Sequence, residues 1–195
     1  MQINSINNIS FQKRLIAHCN VLHKGKPEQC NIFELDKMLD WDYFKSLLIN
    51  RDWQGQSFVE MIDESFNHGK LTNQKYYAIE TQRGKKIAFS QVDEFYPDRD
   101  ELVLIETMPC AAYDNSGRKR KYIGESMLAF LVEKAKKNGK AFFRILAPIP
   151  DSYEFYTKSG FAKRAESGLM MEDVDYDVFI GKNGKHTGTK VQIME

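Results

Sequence analysis

The segment from residue 102 to residue 139 limits what this chain can fold into more than any other. Leu102-Val103-Leu104-Ile105-Glu106-Thr107-Met108 is an apolar run that stops at Pro109, and a polar connection from Asp114 to Lys121 follows. From Ile123 onward Ile123, Met127, Phe130, Leu131 and Ala135 recur at helical spacing, and Asn138-Gly139 supplies a stop that accepts a left-handed backbone. This order predicts a buried strand, a loop and an amphipathic helix over Ile123 to Lys137. In such a unit the unpaired N–H groups and the positive dipole end of the helix meet Gly124, a residue that lets a ligand approach the main chain closely. Arg118, Lys119, Arg120 and Lys121 stand just upstream, and between 118 and 140 eight Lys/Arg face only Glu125 and Glu133. A pyrophosphate answers both observations, whereas a solvated basic loop answers the charge alone. No Gly-x-x-x-x-Gly-Lys-Ser/Thr occurs, and one glycine stands where a dinucleotide fingerprint needs three, which counts against nucleoside triphosphates and NAD.

Elsewhere the periodic segments are short. Alternation from Arg14 to Leu22 and a run from Cys30 to Leu35 predict a pair of strands; Tyr43, Phe44, Leu47 and Leu48, then Phe58, Ile62 and Phe66, predict two helices separated at Gly55. Lys75 to Glu80 and Lys86 to Val92 flank Gln82-Arg83-Gly84-Lys85 as a hairpin. Phe142 to Ala147 reads as a buried strand and Ser152 to Lys158 as a short helix entered after Pro148 and Pro150. Leu169 to Met171 and Tyr176 to Ile180 read as strands, with Lys182-Asn183-Gly184-Lys185 turning into a last strand over Lys190 to Met194. Asp100 and Glu101 read as surface charges at a strand entry.

Two motifs in this frame resemble those of the GNAT N-acetyltransferase superfamily. Lys121-Tyr122-Ile123-Gly124-Glu125-Ser126 is similar to its Gln/Arg-x-x-Gly-x-Gly/Ala acyl-CoA pyrophosphate motif, with Lys121 and Ser126 as departures. Phe155-Tyr156-Thr157-Lys158-Ser159-Gly160-Phe161 is similar to its Phe/Leu-Tyr-x-x-x-Gly-Phe signature. The resemblance covers roughly residues 31 to 180. It implies an α+β fold with a GNAT-like mixed central sheet flanked by helices, an N-terminal strand/hairpin extension over residues 1–30 and an acyltransferase domain over 31–195. It also implies acetyl-CoA as cosubstrate, no metal, and transfer of the acetyl group to a primary amine by direct attack in a ternary complex. The cofactor-binding positions are then Lys119, Arg120, Lys121, Tyr122, Ile123, Gly124, Glu125 and Ser126, chiefly through backbone amides, with Arg118, Lys119 or Lys137 available to a ribose 3′-phosphate.

Acetyl transfer needs a base for the amine and an acid for the leaving thiolate. Tyr156 is the candidate acid; the competing reading is a core aromatic. Glu106 is the candidate base, because a carboxylate in an apolar strand is expensive unless paired or working; the competing readings are a salt bridge and a solvent-facing position. Cys110 has no adjacent His or acid to activate it, and reads as inert. His18, Cys19, His23 and Cys30 match no regular zinc spacing.

The whole chain has 195 residues, 28 Lys+Arg against 27 Asp+Glu and a net charge of +1, which excludes a strongly basic nucleic-acid binder as a description of the entire protein. Three irregularly spaced cysteines do not make a disulfide framework, and with no basic n-region and no long apolar run the reading is a cytoplasmic protein without a membrane span. Between Asp36 and Glu64 seven acids face three bases among Trp41, Tyr43, Phe44 and Trp53, a rim suited to a cationic amine acceptor, small molecule or peptide. The rival reading is a non-catalytic module of the same fold that binds CoA structurally, or an anionic partner such as nucleic acid through residues 118–121. The predicted C-terminal strand pair offers an edge through which a homodimer would pair.

Overall fold

The computed structural model describes residues 13–35, 73–108, 113–114, 117–165 and 168–194. The two predicted early helices, the acidic and aromatic rim and Cys110 lie outside the described residues. The N-terminal pair forms as β1 (Arg14–His23) and β2 (Lys26–Leu35), joined by a turn in which Lys24 and Gly25 both take positive φ. The pair is no detached arm. Residue 30 lies inside β2, whose Cys30–Leu35 stretch pairs with β3 (Gln74–Thr81), and β3 pairs in turn with β4 (Lys86–Asp93) across the predicted hairpin. Next comes β5 (Arg99–Thr107), antiparallel to β4.

The predicted strand, loop and helix follow in order. After β5 a small ribbon forms from β6 (Tyr113–Asp114) and β7 (Gly117–Arg118), and β8 (Arg120–Lys121) pairs with β1. Helix α1 (Ile123–Lys137) then carries the chain back along the sheet so that β9 (Phe142–Leu146) lies parallel to β5, as a parallel pair requires. Its end is as the sequence predicts: the Asn138 N–H donates to the Lys134 carbonyl, and Gly139 has φ 69°. Short helix α2 (Tyr153–Lys158) leads to β10 (Ala162–Ala165) and β11 (Gly168–Glu172), which complete a sheet ordered β10-β11-β9-β5-β4-β3-β2-β1-β12.

The C-terminal region departs from expectation. Tyr176 to Ile180 is not a strand and 182–185 is not a turn; both belong to helix α3 (Tyr176–Thr187), and the strand that follows, β12 (Gln192–Ile193), pairs with β1 instead of closing a hairpin. The reason is tertiary. Tyr176, Phe179, Ile180, Asn183 and Thr187 are buried at helical spacing, packed on α1 and β1, and burial of that stripe overrides the local strand preference of a Tyr-Asp-Val-Phe-Ile sequence. Gly181 and Gly184 lie within the helix without positive φ; the helix ends at Gly188, φ 83°. The predicted C-terminal strand pair therefore does not exist, and the edge beyond β1 is the two-residue β12.

A second correction concerns Asp100 and Glu101, which are 2% and 4% exposed. They are affordable inside because cations meet them: the Lys140 ammonium lies 3.3 Å from Asp100, while Arg99 (2.7 Å) and Arg144 of β9 (3.2 Å) donate to Glu101. Burial pushes the Asp100 carboxyl above its ordinary range.

Candidate active site

β5 and β9 pair only at one end. Their register runs from Arg99↔Phe142 to Leu102↔Ile145, beyond which β5 continues to Thr107 beside β4 alone. The strands thus form a fork, closed at Glu101 and Arg144 and open towards residues 103–107. Beyond Leu146 the chain turns through Ala147 (φ 37°) into a 3₁₀ turn over Pro150–Ser152 and then α2, so α2 is carried to the open end.

A cleft of about 300 Å³ occupies that end. Ile105, Glu106 and Thr107 line it from β5, Gly124 and Glu125 from the first turn of α1, and Ser152, Phe155 and Tyr156 from the α2 side. Glu106 and Tyr156, 50 positions apart in the chain, line this one cleft from two sides. Tyr156 is 5% exposed, and burial together with the negative charge of Glu106 pushes its phenol up to about 12, against a smaller opposing effect of a hydrogen bond with Ser152. A phenol in that condition keeps its proton at neutral pH. Edge contacts to Phe155 (5.1 Å between centroids) and Phe161 (6.1 Å) fix the ring, so the core-aromatic role and a place on the cleft wall coexist.

The N-terminus of α1 reaches the same cleft. Tyr122 caps it in the left-handed region (φ 64°) with no side-chain hydrogen bond to the helix, so the first turn offers backbone N–H groups without intrahelical partners. Gly124 lets the Phe155 ring pack closely: a Cβ at this position would stand 3.1 Å from Cζ of Phe155, and the ring would have to give by a few tenths of an ångström. Glu125 lines the cleft and brings a negative charge to the place where an anion would be held.

The other predicted binding residues are tied into the fold, Arg120, Ser126, Ile123 and Tyr122 by their side chains and Lys119 and Lys121 by their backbone. Arg120, 5% exposed, holds Glu28 with both ends of its fork (2.6 and 3.1 Å); burial raises the Glu28 carboxyl, but the hydrogen bonds and charge of Arg120 outweigh it and leave it below its ordinary value. Ser126 is buried, and its hydroxyl donates to the Asn20 carbonyl at 2.8 Å, pinning α1 to β1. Ile123 sits in the core. The Lys119 carbonyl accepts from Lys24 N–H (2.9 Å), Lys121 pairs with Leu22, and Tyr122 stacks on His186 of α3 (4.8 Å, 7°). This side of the cleft offers backbone, which the side chains of Arg120 and Ser126 fasten to the hairpin.

Several cleft residues escaped the sequence reading. Ser152, Lys158, Phe179, Lys182, Asn183 and His186 line one or other side of Phe155; the signal for those on α3 was the helical spacing of Tyr176, Phe179, Ile180 and Asn183. Among the described residues no group of three or more His, Cys, Asp or Glu is arranged to hold a metal. Cys19 and Cys30 are opposite one another on β1 and β2, both buried, and burial pushes the Cys30 thiol up to about 12. Among the described residues no helix is long and apolar enough to cross a membrane.

No family model matches the sequence, and no curated protein matches it. Solved structures do. A spermidine N-acetyltransferase from Vibrio cholerae superposes with a TM-score of 0.52 at 12% identity, over 75% of this chain and 95% of that one. A chimera of that enzyme with hSSAT gives 0.54 at 12% identity, over 75% and 97%. The ribosomal-protein-S18-alanine N-acetyltransferase from Escherichia coli gives 0.51 at 18% identity, over 73% and 91%. With its forked β5–β9 pair, its helix between the two strands and these neighbours, the chain has the α+β fold of the GNAT acetyltransferases.

Proposed function

We propose that this protein is an N-acetyltransferase that moves the acetyl group of acetyl-CoA onto a primary amine by direct attack. The observation that carries the reading is the position of Tyr156 and Glu106 on one cleft at the open end of the fork, beside the uncapped start of α1. The residues suit the cosubstrate: a fork whose open end gives room for a thin chain between β5 and α2, and free amides at a helix N-terminus for a pyrophosphate. When bound, acetyl-CoA supplies an acetyl thioester. Backbone amides of residues 123–125, in the first turn of α1, hold its pyrophosphate. Glu106 takes a proton from the incoming amine, so that the nitrogen lone pair is free to form the new N–C bond. Tyr156, kept protonated by burial and by Glu106, gives its proton to the sulfur as the C–S bond breaks, and the second proton that the nitrogen loses as it becomes the amide restores the phenol. The products are an amide and a free thiol.

Spermidine and a ribosomal-protein alanine, named in two of the neighbours, share a primary amine, and that class is the one proposed. The rival, an anion-binding module acting through residues 118–121, is less well supported because Arg120 is buried against Glu28. Replacing Tyr156 by Phe tests the reading: turnover falls while acetyl-CoA affinity survives. Unchanged turnover removes Tyr156 as the acid.

A further inference from the structure

At the end of the sheet where β12 meets β1 lies a cleft of about 330 Å³ that shares no lining residue with the one between β5 and α2. A volume in the range of roughly 300–1,000 Å³ takes a whole small molecule. His18 and Asn20 of β1, Gln29 of β2, and Thr189, Lys190 and Gln192 from the segment between α3 and the end of β12 line it, and among the described residues no carboxylate does.

The register explains the opening. A two-residue turn at Lys24 and Gly25 makes His23↔Lys26 the closing hydrogen-bonded pair of the hairpin, so by alternation the main-chain groups of His18, Asn20 and Leu22 face away from β2. On that side His18 meets Gln192 of β12, and Leu22 meets Lys121 of β8. Asn20, between them, has no strand partner there. Its carbonyl takes the Ser126 hydroxyl, while its N–H, turned to the same edge, finds no main-chain acceptor among the described residues. Such a donor is completed by water or by a ligand.

His18 adds an acceptor. Its Nδ1 lies 2.9 Å from Oδ1 of Asn31, an oxygen that can only accept and that also takes the Gln82 amide (3.1 Å). Nδ1 therefore carries the ring proton, and Nε2 of the neutral ring keeps a lone pair. Lys190 adds a charge. Its stem runs beside Gly184 of α3, where a Cβ would stand 3.1 Å from Lys190 Cγ; Asp177, which feels the Lys190 charge, is bonded to Lys136 (2.6 Å). An ammonium, an unpaired N–H, carboxamides and a hydroxyl, with no acid among them, suit a ligand that carries both negative charge and hydroxyl groups.

We propose that this cleft binds a small polyhydroxylated anion: Lys190 and the Asn20 N–H hold the anionic group, the carboxamides of Gln29 and Gln192 pair with hydroxyls, and His18 Nε2 accepts from one of them. The anionic group has two sources, the phosphate of a sugar phosphate or the carboxylate of a sugar acid. Neither rests on the acetyl-CoA reading, because the two clefts have no lining residue in common.

Proton–nitrogen NMR titration of the full chain with glucose 6-phosphate, gluconate and glucose, for wild type, Lys190→Gln and Lys190→Arg, tests this. Lys190 is exposed, so both variants keep the fold. The expected result is movement of the Asn20 main-chain signal and of the Gln29 and Gln192 side-chain signals with at least one of the anions. Glucose and the Lys190→Gln variant should each weaken that binding by about tenfold, and Lys190→Arg, which keeps the charge, should restore it. A response to glucose 6-phosphate alone assigns the anionic group to a phosphate, and a response to gluconate alone assigns it to a carboxylate. Signals that stay in place with both anions up to about 10 mM, or equal affinity in wild type and Lys190→Gln, overturn the inference and leave the acetyltransferase reading standing.

Discussion

The two ends of β5 carry acidic residues with opposite fates. At its entry Glu101 is buried and held by Arg99 and by Arg144, which β9 delivers at the paired position; at its exit Glu106 lines an open cleft beside Tyr156. Strand composition does not distinguish the two positions. What distinguishes them is whether β9 runs alongside: where the strands pair, a cation arrives and the carboxylate becomes structural, and where they part, the carboxylate faces space that a substrate can enter. One acid closes the fork, and the other is the one proposed to work in it.

The largest effects should fall on the open end. Glu106→Gln and Tyr156→Phe are each expected to lower kcat by about 10²- to 10⁴-fold, with acetyl-CoA affinity within about twofold of wild type and melting temperature nearly unchanged. Steady-state kinetics beside calorimetry checks this, and a full-strength Glu106→Gln enzyme would collapse the contrast between the two ends. Glu101→Gln should act the other way, costing about 2–3 kcal/mol of stability by leaving Arg99 and Arg144 without their carboxylate, as read from denaturant unfolding.

A smaller effect belongs to the fastening of the α1 start. The Glu28 carboxyl is held below its ordinary value of 4.5, so its contribution to stability is present above that pH and is lost as the pH falls through the depressed folded value. Arg120→Met should remove this part of the acid dependence, making the thermal midpoint flatter between pH 5 and pH 3 in a pH series. The smallest effect is at Glu125. Glu125→Gln removes a negative charge from the proposed anion site, and acetyl-CoA should bind about two- to threefold tighter at low salt, with the gain fading at high salt.

How much of this was legible in the sequence depended on range. β5, α1 and its stop at Asn138-Gly139 are written in local periodicity; the second motif points to Tyr156, and the cost of a carboxylate within an apolar run points to Glu106. Helix α3 was misread because its signal is a packing stripe spread over 12 residues, while its first five look like a strand. One clue lay in α1 itself: Leu128, Ala129 and Val132 are apolar outside the face first read and are buried too, which requires a second partner for that helix. The fates of Arg120 and Ser126 were out of reach, since their partners Glu28 and Asn20 stand 92 and 106 positions away.

The central claim is that the open end of the fork binds acetyl-CoA for chemistry. Calorimetric titration of wild type and Tyr156→Phe with acetyl-CoA, at fixed moderate salt, addresses it most directly. The account predicts one-to-one micromolar binding by both proteins, since Tyr156 acts on the leaving sulfur and not on the pyrophosphate. Absence of binding to the folded wild-type protein would contradict it.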